Sequence, residues 1–203
     1  MNKIKVSICV PTRNRANFLV RALRSLTDQT FNKKNYEIIV VDDCSNDQTN
    51  IILKGFKGEI IVIKNKTHKG LSFSLNRAIK KARGNYFLRV DSDDYVNKEY
   101  VNLLFESISR NPEYSAACCD YYMVDDNEKV LKKYNAEKHP IGCGIIFKIK
   151  ELKKIGMYST KIKINEEADL IKRFKMNKKF KILRIPIPLY RYKRHSTNMT
   201  NKK

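Results

Sequence analysis

Three carboxylates, Asp91, Asp93 and Asp94, fall within four positions directly after the apolar run Tyr86–Val90, with Ser92 between them. Side chains alternate along an extended strand, so Asp91 and Asp93 are expected on one side of its end. Like charges that close repel each other, and a divalent cation is the usual remedy. Oxygen ligands suit hard ions such as Mg²⁺ or Mn²⁺, which keep waters and recruit the phosphates of a substrate. Taken alone, Asp-Ser-Asp-Asp reads more simply as an acidic turn. Other residues with chemical potential are Asp42-Asp43, the acids Glu166, Glu167 and Asp169, and the basic group Arg191, Arg194 and His195.

The elements that would position them follow from apolar spacing. Lys5–Val10 reads as a strand closed by Pro11-Thr12-Arg13-Asn14. Phe18, Leu19, Ala22, Leu23 and Leu26 recur at helical spacing and predict a helix over Ala16–Gln29. Tyr36–Val41 is a continuous apolar run, suited to a parallel strand covered on both faces. A short helix capped by Asn46 or Asp47 runs to about Lys54, and Ile60–Lys64 is a third strand. A helix follows Gly70, and Tyr86–Val90 is a fourth strand. This βαβαβαβ order predicts a mostly parallel α/β sheet, whose ligands bind at the carboxyl ends of the strands. Both acidic clusters fall there.

The second half is less regular. A helix around Val101–Ile108 ends at Asn111-Pro112, and strands are expected at Ser115–Val124, Val130–Tyr134 and Ile145–Ile149. Short helix Leu152–Ile155, helix Glu166–Met176, and strands Phe180–Ile185 and Leu189–Lys193 complete it, with an irregular crossing at Pro186 and Pro188.

Composition bounds the function. With 42% hydrophobic and 31% charged residues in 203, the chain reads as one soluble globular domain. No apolar run approaches the roughly 20 residues of a membrane span. The N-terminus reads as a first strand and not a signal peptide. Five cysteines without CxxC spacing argue against a disulfide scaffold or zinc site and for a reducing cytosol. Forty-two Lys and Arg against 21 Asp and Glu give a net charge of +21, concentrated after Asp169. That balance favours polyanions, an anionic membrane surface, or phosphorylated substrates; it also fits a lysine-rich solvated surface.

Taken together in their order, the segments resemble the inverting glycosyltransferases of family 2. They are Val6–Arg15, Ile39–Asp47, Gly70-Leu71-Ser72 with Asn76-Arg77-Ala78, Ala82–Tyr86 leading to Asp91-Ser92-Asp93-Asp94, Gly142-Cys143-Gly144, Asn165–Leu170 and Tyr190–Ser196. The resemblance covers nearly the whole chain. It implies a GT-A (Rossmann-like) fold, with residues 1–95 as the nucleotide-sugar half and 96–203 as the acceptor and catalytic-base half.

It also implies roles. Asp93 would hold Mn²⁺ or Mg²⁺, with Asp91 on the ribose or a metal-bound water, Ser92 beside them and Asp94 in support. Asp43 would accept hydrogen bonds from the nucleotide base while Asp42 caps the next turn. Pro11, Thr12 and Arg13 would line the base or ribose. Lys69 and Gly70 would approach the donor, with Asn76 bracing the helix. Glu167 would be the general base and Glu166 its competitor, because Glu166-Glu167 stands where the family has Glu-Asp. Asp169 would be structural. Arg191, Arg194 and His195 would close over the diphosphate, His195 as a metal-competent group. Asn14, Arg15, His68 and His139 read as helix-start or surface residues.

The expected partners are a nucleotide-sugar donor, with UDP the family's default, and a glycan or lipid-linked acceptor in bacterial surface polysaccharide synthesis. A cytoplasmic protein touching the anionic inner membrane face is implied, and no specific nucleic acid. The competing readings are a nucleotidyltransferase, against which the glycine-free loop Pro11–Arg15 argues, a polyanion-binding module, and a catalytically inactive relative.

Overall fold

The computed structural model describes residues 3–162, 165–177, 179–195 and 198. The first half alternates strand and helix: β1 (Val6–Thr12), α1 (Ala16–Thr27), β2 (Tyr36–Asp42), α2 (Thr49–Gly55), β3 (Ile61–Lys64), α3 (Leu71–Lys81) and β4 (Tyr86–Arg89). Its strands pair in parallel in the order β3-β2-β1-β4. The second half adds β5 (Tyr95–Val96), α4 (Tyr100–Arg110), β6 (Ala116–Val124), β7 (Val130–Tyr134), β8 (Ile145–Lys148), α5 (Ile149–Lys154), α6 (Glu166–Met176) and β9 (Ile182–Lys193). These continue the sheet in mixed fashion: β8 is antiparallel to β4 and β6, β9 is parallel to β6, and β5 is antiparallel to β9. Among the described residues all nine strands belong to one sheet.

Strand alternation divides the core between the two faces of that sheet. Val6, Ile8 and Val10 of β1 pack with Leu19, Leu23 and Leu26 of α1 and Val101, Leu104 and Ile108 of α4. On the other face Cys9, Ile39, Val41 and Phe87 meet Leu75 and Ile79 of α3 and Leu170 and Phe174 of α6. Near the amino ends of the strands a buried polar tie runs from Ser7 Oγ to Glu37 Oε1 at 2.7 Å, and Arg83 Nε donates to Glu37 Oε2. Those charges serve the fold and leave the carboxyl ends to carry chemistry.

Two expectations change. Phe180–Ile185 and Leu189–Lys193 are one strand, β9, whose register against β6 slips on either side of Asp120. Bulges accommodate Pro186 and Pro188, which lack the N–H a regular ladder needs. Asp91–Asp94 is a turn closed by Asp94 N–H donating to the Asp91 carbonyl at 3.1 Å, so strand alternation does not govern Asp91 and Asp93.

Candidate active site

At the ends of β1, β2 and β4 the carboxylates Asp43, Asp91, Asp93 and Asp94 each take a different set of partners. Asp91 is held by Arg89, the last residue of β4: Nε lies 2.7 Å from Oδ1 and Nη2 3.0 Å from Oδ2. The third nitrogen, Nη1, reaches Glu166 Oε1 at 2.7 Å. Arg89 and Glu166 are 6% and 4% exposed, so one buried guanidinium ties the acidic turn to the first residue of α6. The remedy for crowded carboxylates is here partly supplied by the chain's own cation. Sequence reasoning passed over Arg89; the signal was an arginine inside an otherwise apolar strand, since a buried charge needs a partner.

Asp94 is fully enclosed. Tyr190 donates its hydroxyl to Oδ2 at 2.6 Å, the Lys193 N–H donates to Oδ1 at 2.8 Å, and the Tyr190 oxygen accepts the Asp91 N–H at 3.2 Å. Burial and the neighbouring charges of Asp93 and Asp91 push its carboxyl well above the ordinary range.

Asp93 faces another way. Its Oδ2 lies 3.1 Å from His195 Nε2 and 3.5 Å from Arg15 Nε. The His195 ring stacks on Phe18 at 4.6 Å, so the first turn of α1 supplies a platform for an imidazole that arrives from the end of β9. Asn198 locks that end by accepting the His195 N–H at 2.6 Å. Arg15 is therefore part of the site and not a plain surface residue.

This pair of donors fits a hard divalent ion. A carboxylate oxygen suits Mg²⁺ or Mn²⁺ and an imidazole nitrogen can join it on such an ion. Asp93 Oδ2 and His195 Nε2, 3.1 Å apart as in an ordinary hydrogen bond, are close enough to share one. Asp91, Asp94 and Cys143 also bring donor atoms within 4.8 Å of one another. There, however, Arg89 takes both oxygens of Asp91, while Tyr190 and the Lys193 amide take those of Asp94.

Asp43 is 5% exposed and accepts from Asn65 Nδ2 and the Lys69 N–H on Oδ1, and from the Gly70 N–H on Oδ2, where His68 Nδ1 also lies at 2.6 Å. Burial alone would raise its carboxyl, but these bonds outweigh burial and hold it below the usual range. His68 thus has a partner, contrary to its reading as a bare surface residue. Asp42 accepts the Ser45 N–H, as a turn cap does. Nearby, Thr12 Oγ1 is buried with no hydrogen-bond partner among the described residues. Pro11 is buried and Arg13 exposed.

Glu167 lies near Arg89 and Asp91. Burial, then the charge of Glu166, raises its carboxyl above the ordinary glutamate range. Gly142 makes room for it: a Cβ there would stand 2.7 Å from Arg89 Nη1 and 2.9 Å from Glu167 Cβ. Asp169 is paired with Arg173, which also binds the carbonyl of Met157. Asn76 bonds both backbone groups of Tyr158. Ser92 is buried in the turn.

The basic group is only partly gathered. Arg191 lies on the face of β9 opposite Tyr190, with its guanidinium 4.6 Å from the Tyr122 ring centre and Nη1 on the Pro188 carbonyl. Arg194 donates its N–H to the Val124 carbonyl. His195 is brought to the acidic turn, and Ser196 lies outside the described residues. Four of the five cysteines are buried, and burial pushes the Cys118 thiol up to about 11, which leaves it a poor nucleophile.

A parallel α/β half-sheet with an acidic turn and a helix-borne glutamate pair at its carboxyl ends defines a GT-A type protein. The model of glycosyl transferase family 2 matches residues 7–185, and the chain belongs to that family. It is similar to the poly(ribitol-phosphate) beta-N-acetylglucosaminyltransferase TarS of Staphylococcus aureus, 41% identical over 99 residues covering 47% of this chain and 17% of TarS. A glycosyltransferase of Haemophilus influenzae is 28% identical over 203 residues, 91% of this chain and 66% of that protein. The structure of S. aureus TarS 1-349 in complex with UDP superposes with a TM-score of 0.80 and 26% identity, over 94% of this chain and 61% of that one. The chain thus spans less than two thirds of each of these relatives. No helix among the described residues is long and apolar enough to cross a membrane.

Proposed function

We propose that this chain is the catalytic part of a metal-dependent inverting glycosyltransferase that moves a sugar from a UDP-sugar to a hydroxyl of a glycan or lipid-linked acceptor. The observation that carries the proposal is the division of labour between the two glutamates. Glu166 is buried and held by Arg89, while Glu167, one residue on, has a raised carboxyl and lies at an open crevice. A base poised nearer the working pH is the better proton acceptor, and such help is typically worth about 10²–10⁴-fold in rate.

In this reading Glu167 takes the proton of the acceptor hydroxyl as it attacks the anomeric carbon opposite the leaving diphosphate. Asp93 and His195 hold Mn²⁺ or Mg²⁺, which when bound offsets charge on the diphosphate. Arg89 orients Asp91 and holds the Glu166 carboxyl at a fixed place. The orphaned Thr12 hydroxyl supports a polar ligand, base or ribose, at the end of β1. A base reaches Asp43 by displacing half-exposed His68, since four bonds within the chain already fill its acceptor sites. Lys69 and Gly70 shape that loop through Asp43, with Pro11, Arg13 and Ser92 at its margins. Arg194 is kept as a diphosphate ligand, and Arg191 joins it by leaving Tyr122.

The UDP-bound TarS relative and the poly(ribitol-phosphate) transferases among the relatives favour a UDP-sugar donor and a polymer acceptor. On this reading the product is a bacterial surface polysaccharide, and the place of work is the cytoplasmic side of the inner membrane. The test is release of nucleoside diphosphate from UDP-, GDP- and dTDP-sugars with Mn²⁺. One donor class should turn over in the wild type and at least about 100-fold more slowly in Glu167→Gln. Equal turnover by both proteins would remove Glu167 from the chemistry.

A further inference from the structure

Beside Glu167 a crevice of about 480 Å³ opens between α6 and Pro140, lined also by Ala168, Ile171, Lys172, Lys175 and Met176. Its size suits one sugar or polyol unit with a flanking group. Helical spacing orders its wall: Glu167, Ile171 and Lys175 share one stripe, and Ala168, Lys172 and Met176 the next. At 1.5 Å per residue the two ammonium groups are based about 7.5 and 12 Å along the helix from the base. Both lysines are exposed, and neither is paired with a carboxylate among the described residues. The other cation of this helix, Arg173, is by contrast committed to Asp169. Ile171 is buried in the wall, while Met176 is 73% exposed, a large apolar side chain left at the mouth.

On the transferase reading, we infer that this crevice is an acceptor subsite selective for a phosphate-bearing acceptor. The accepting hydroxyl meets Glu167, the carbon skeleton lies on Ile171 and Met176, and a phosphate about one unit away meets Lys172 and Lys175. An ammonium is a compact point charge that serves phosphate well without demanding one orientation. The same chemistry is presented by a phosphodiester polymer and by a lipid-linked sugar diphosphate.

Titration calorimetry on the full chain tests this with three probes: a glycerol phosphate trimer, farnesyl diphosphate, and neutral maltotriose. At least one phosphate probe should bind, and more tightly than maltotriose. Lys172→Gln/Lys175→Gln should weaken it about tenfold or more, and Lys172→Arg/Lys175→Arg should restore it. The control Lys150→Gln/Lys153→Gln, which removes the same charge from exposed positions of α5, should change little. Preference for the trimer points to a polymer, and preference for farnesyl diphosphate to a lipid carrier. The inference is overturned if neither phosphate probe binds, if maltotriose binds as well, or if the α5 control loses as much. A parallel UDP titration separates the readings: UDP bound without a phosphate probe rejects only the subsite, and no UDP bound rejects the donor site beneath it.

Discussion

Arg89 and Glu166, 77 residues apart in sequence, meet at 2.7 Å in the buried part of the chain, and the same guanidinium grips Asp91. Removing one member of a buried ion pair strands the other, typically at a cost of about 3–5 kcal/mol. Arg89→Met should therefore lower unfolding free energy by that order in urea melts. Adding Glu166→Gln should recover part of the loss. A drop below about 1 kcal/mol for Arg89→Met would mean that Glu166 finds another partner.

The two glutamates should separate in kinetics. Glu166→Gln should act mainly on stability, and Glu167→Gln mainly on kcat. Because burial and Glu166 raise the Glu167 carboxyl, and the base works only when ionised, the acid limb of the pH–rate profile should lie above the ordinary glutamate range. The sign for stability is opposite. The folded state favours protonated Glu167, so its contribution is complete below the unfolded pKa and fades as pH rises through the raised one. A pH–rate profile and urea melts across mildly acidic pH would show both trends.

Thr12→Val offers a test with two signs. The substitution nearly keeps shape while removing a buried hydroxyl that lacks a partner, an atom whose burial costs about 1–3 kcal/mol. The variant should melt higher than the wild type without ligand. It should also bind nucleotide more weakly if the hydroxyl serves the donor. A variant both less stable and equally competent would assign Thr12 to the fold alone.

Gly142→Ala probes the packing of the base. Its Cβ would stand 2.7 Å from Arg89 Nη1 and 2.9 Å from Glu167 Cβ, too close for either to stay where it is. Overpacking of this kind costs about 1–3 kcal/mol, and displacement of Glu167 should lower kcat as well. A silent variant in melts and turnover would show that the loop at Gly142 yields.

Much of the fold was legible because its causes are local. The apolar runs of β1, β2 and β4 and the spacing of Leu19, Leu23 and Leu26 dictate a parallel half-sheet with covering helices. What escaped depends on distant partners. Asp91 and Asp93 were expected to point together from a strand, but the turn at Asp94 and the pull of Arg89 and His195 part them. No local pattern brings Phe18 beneath His195, or Tyr190 under Asp94. Pro186 and Pro188 suggested a break, whereas bulges beside Asp120 carry one strand through.

The most direct test of the donor site is a thermal-shift titration of UDP with and without Mn²⁺ on wild type, Asp93→Ala and His195→Ala. A ligand that binds only the folded state at a hundredfold excess over Kd adds roughly 2.7 kcal/mol of apparent stability. The account predicts a UDP shift in wild type that grows with Mn²⁺ and loses that increment in both variants. A UDP shift indifferent to Mn²⁺, or Mn²⁺ enhancement surviving in Asp93→Ala, would contradict the assignment of the ion to Asp93 and His195.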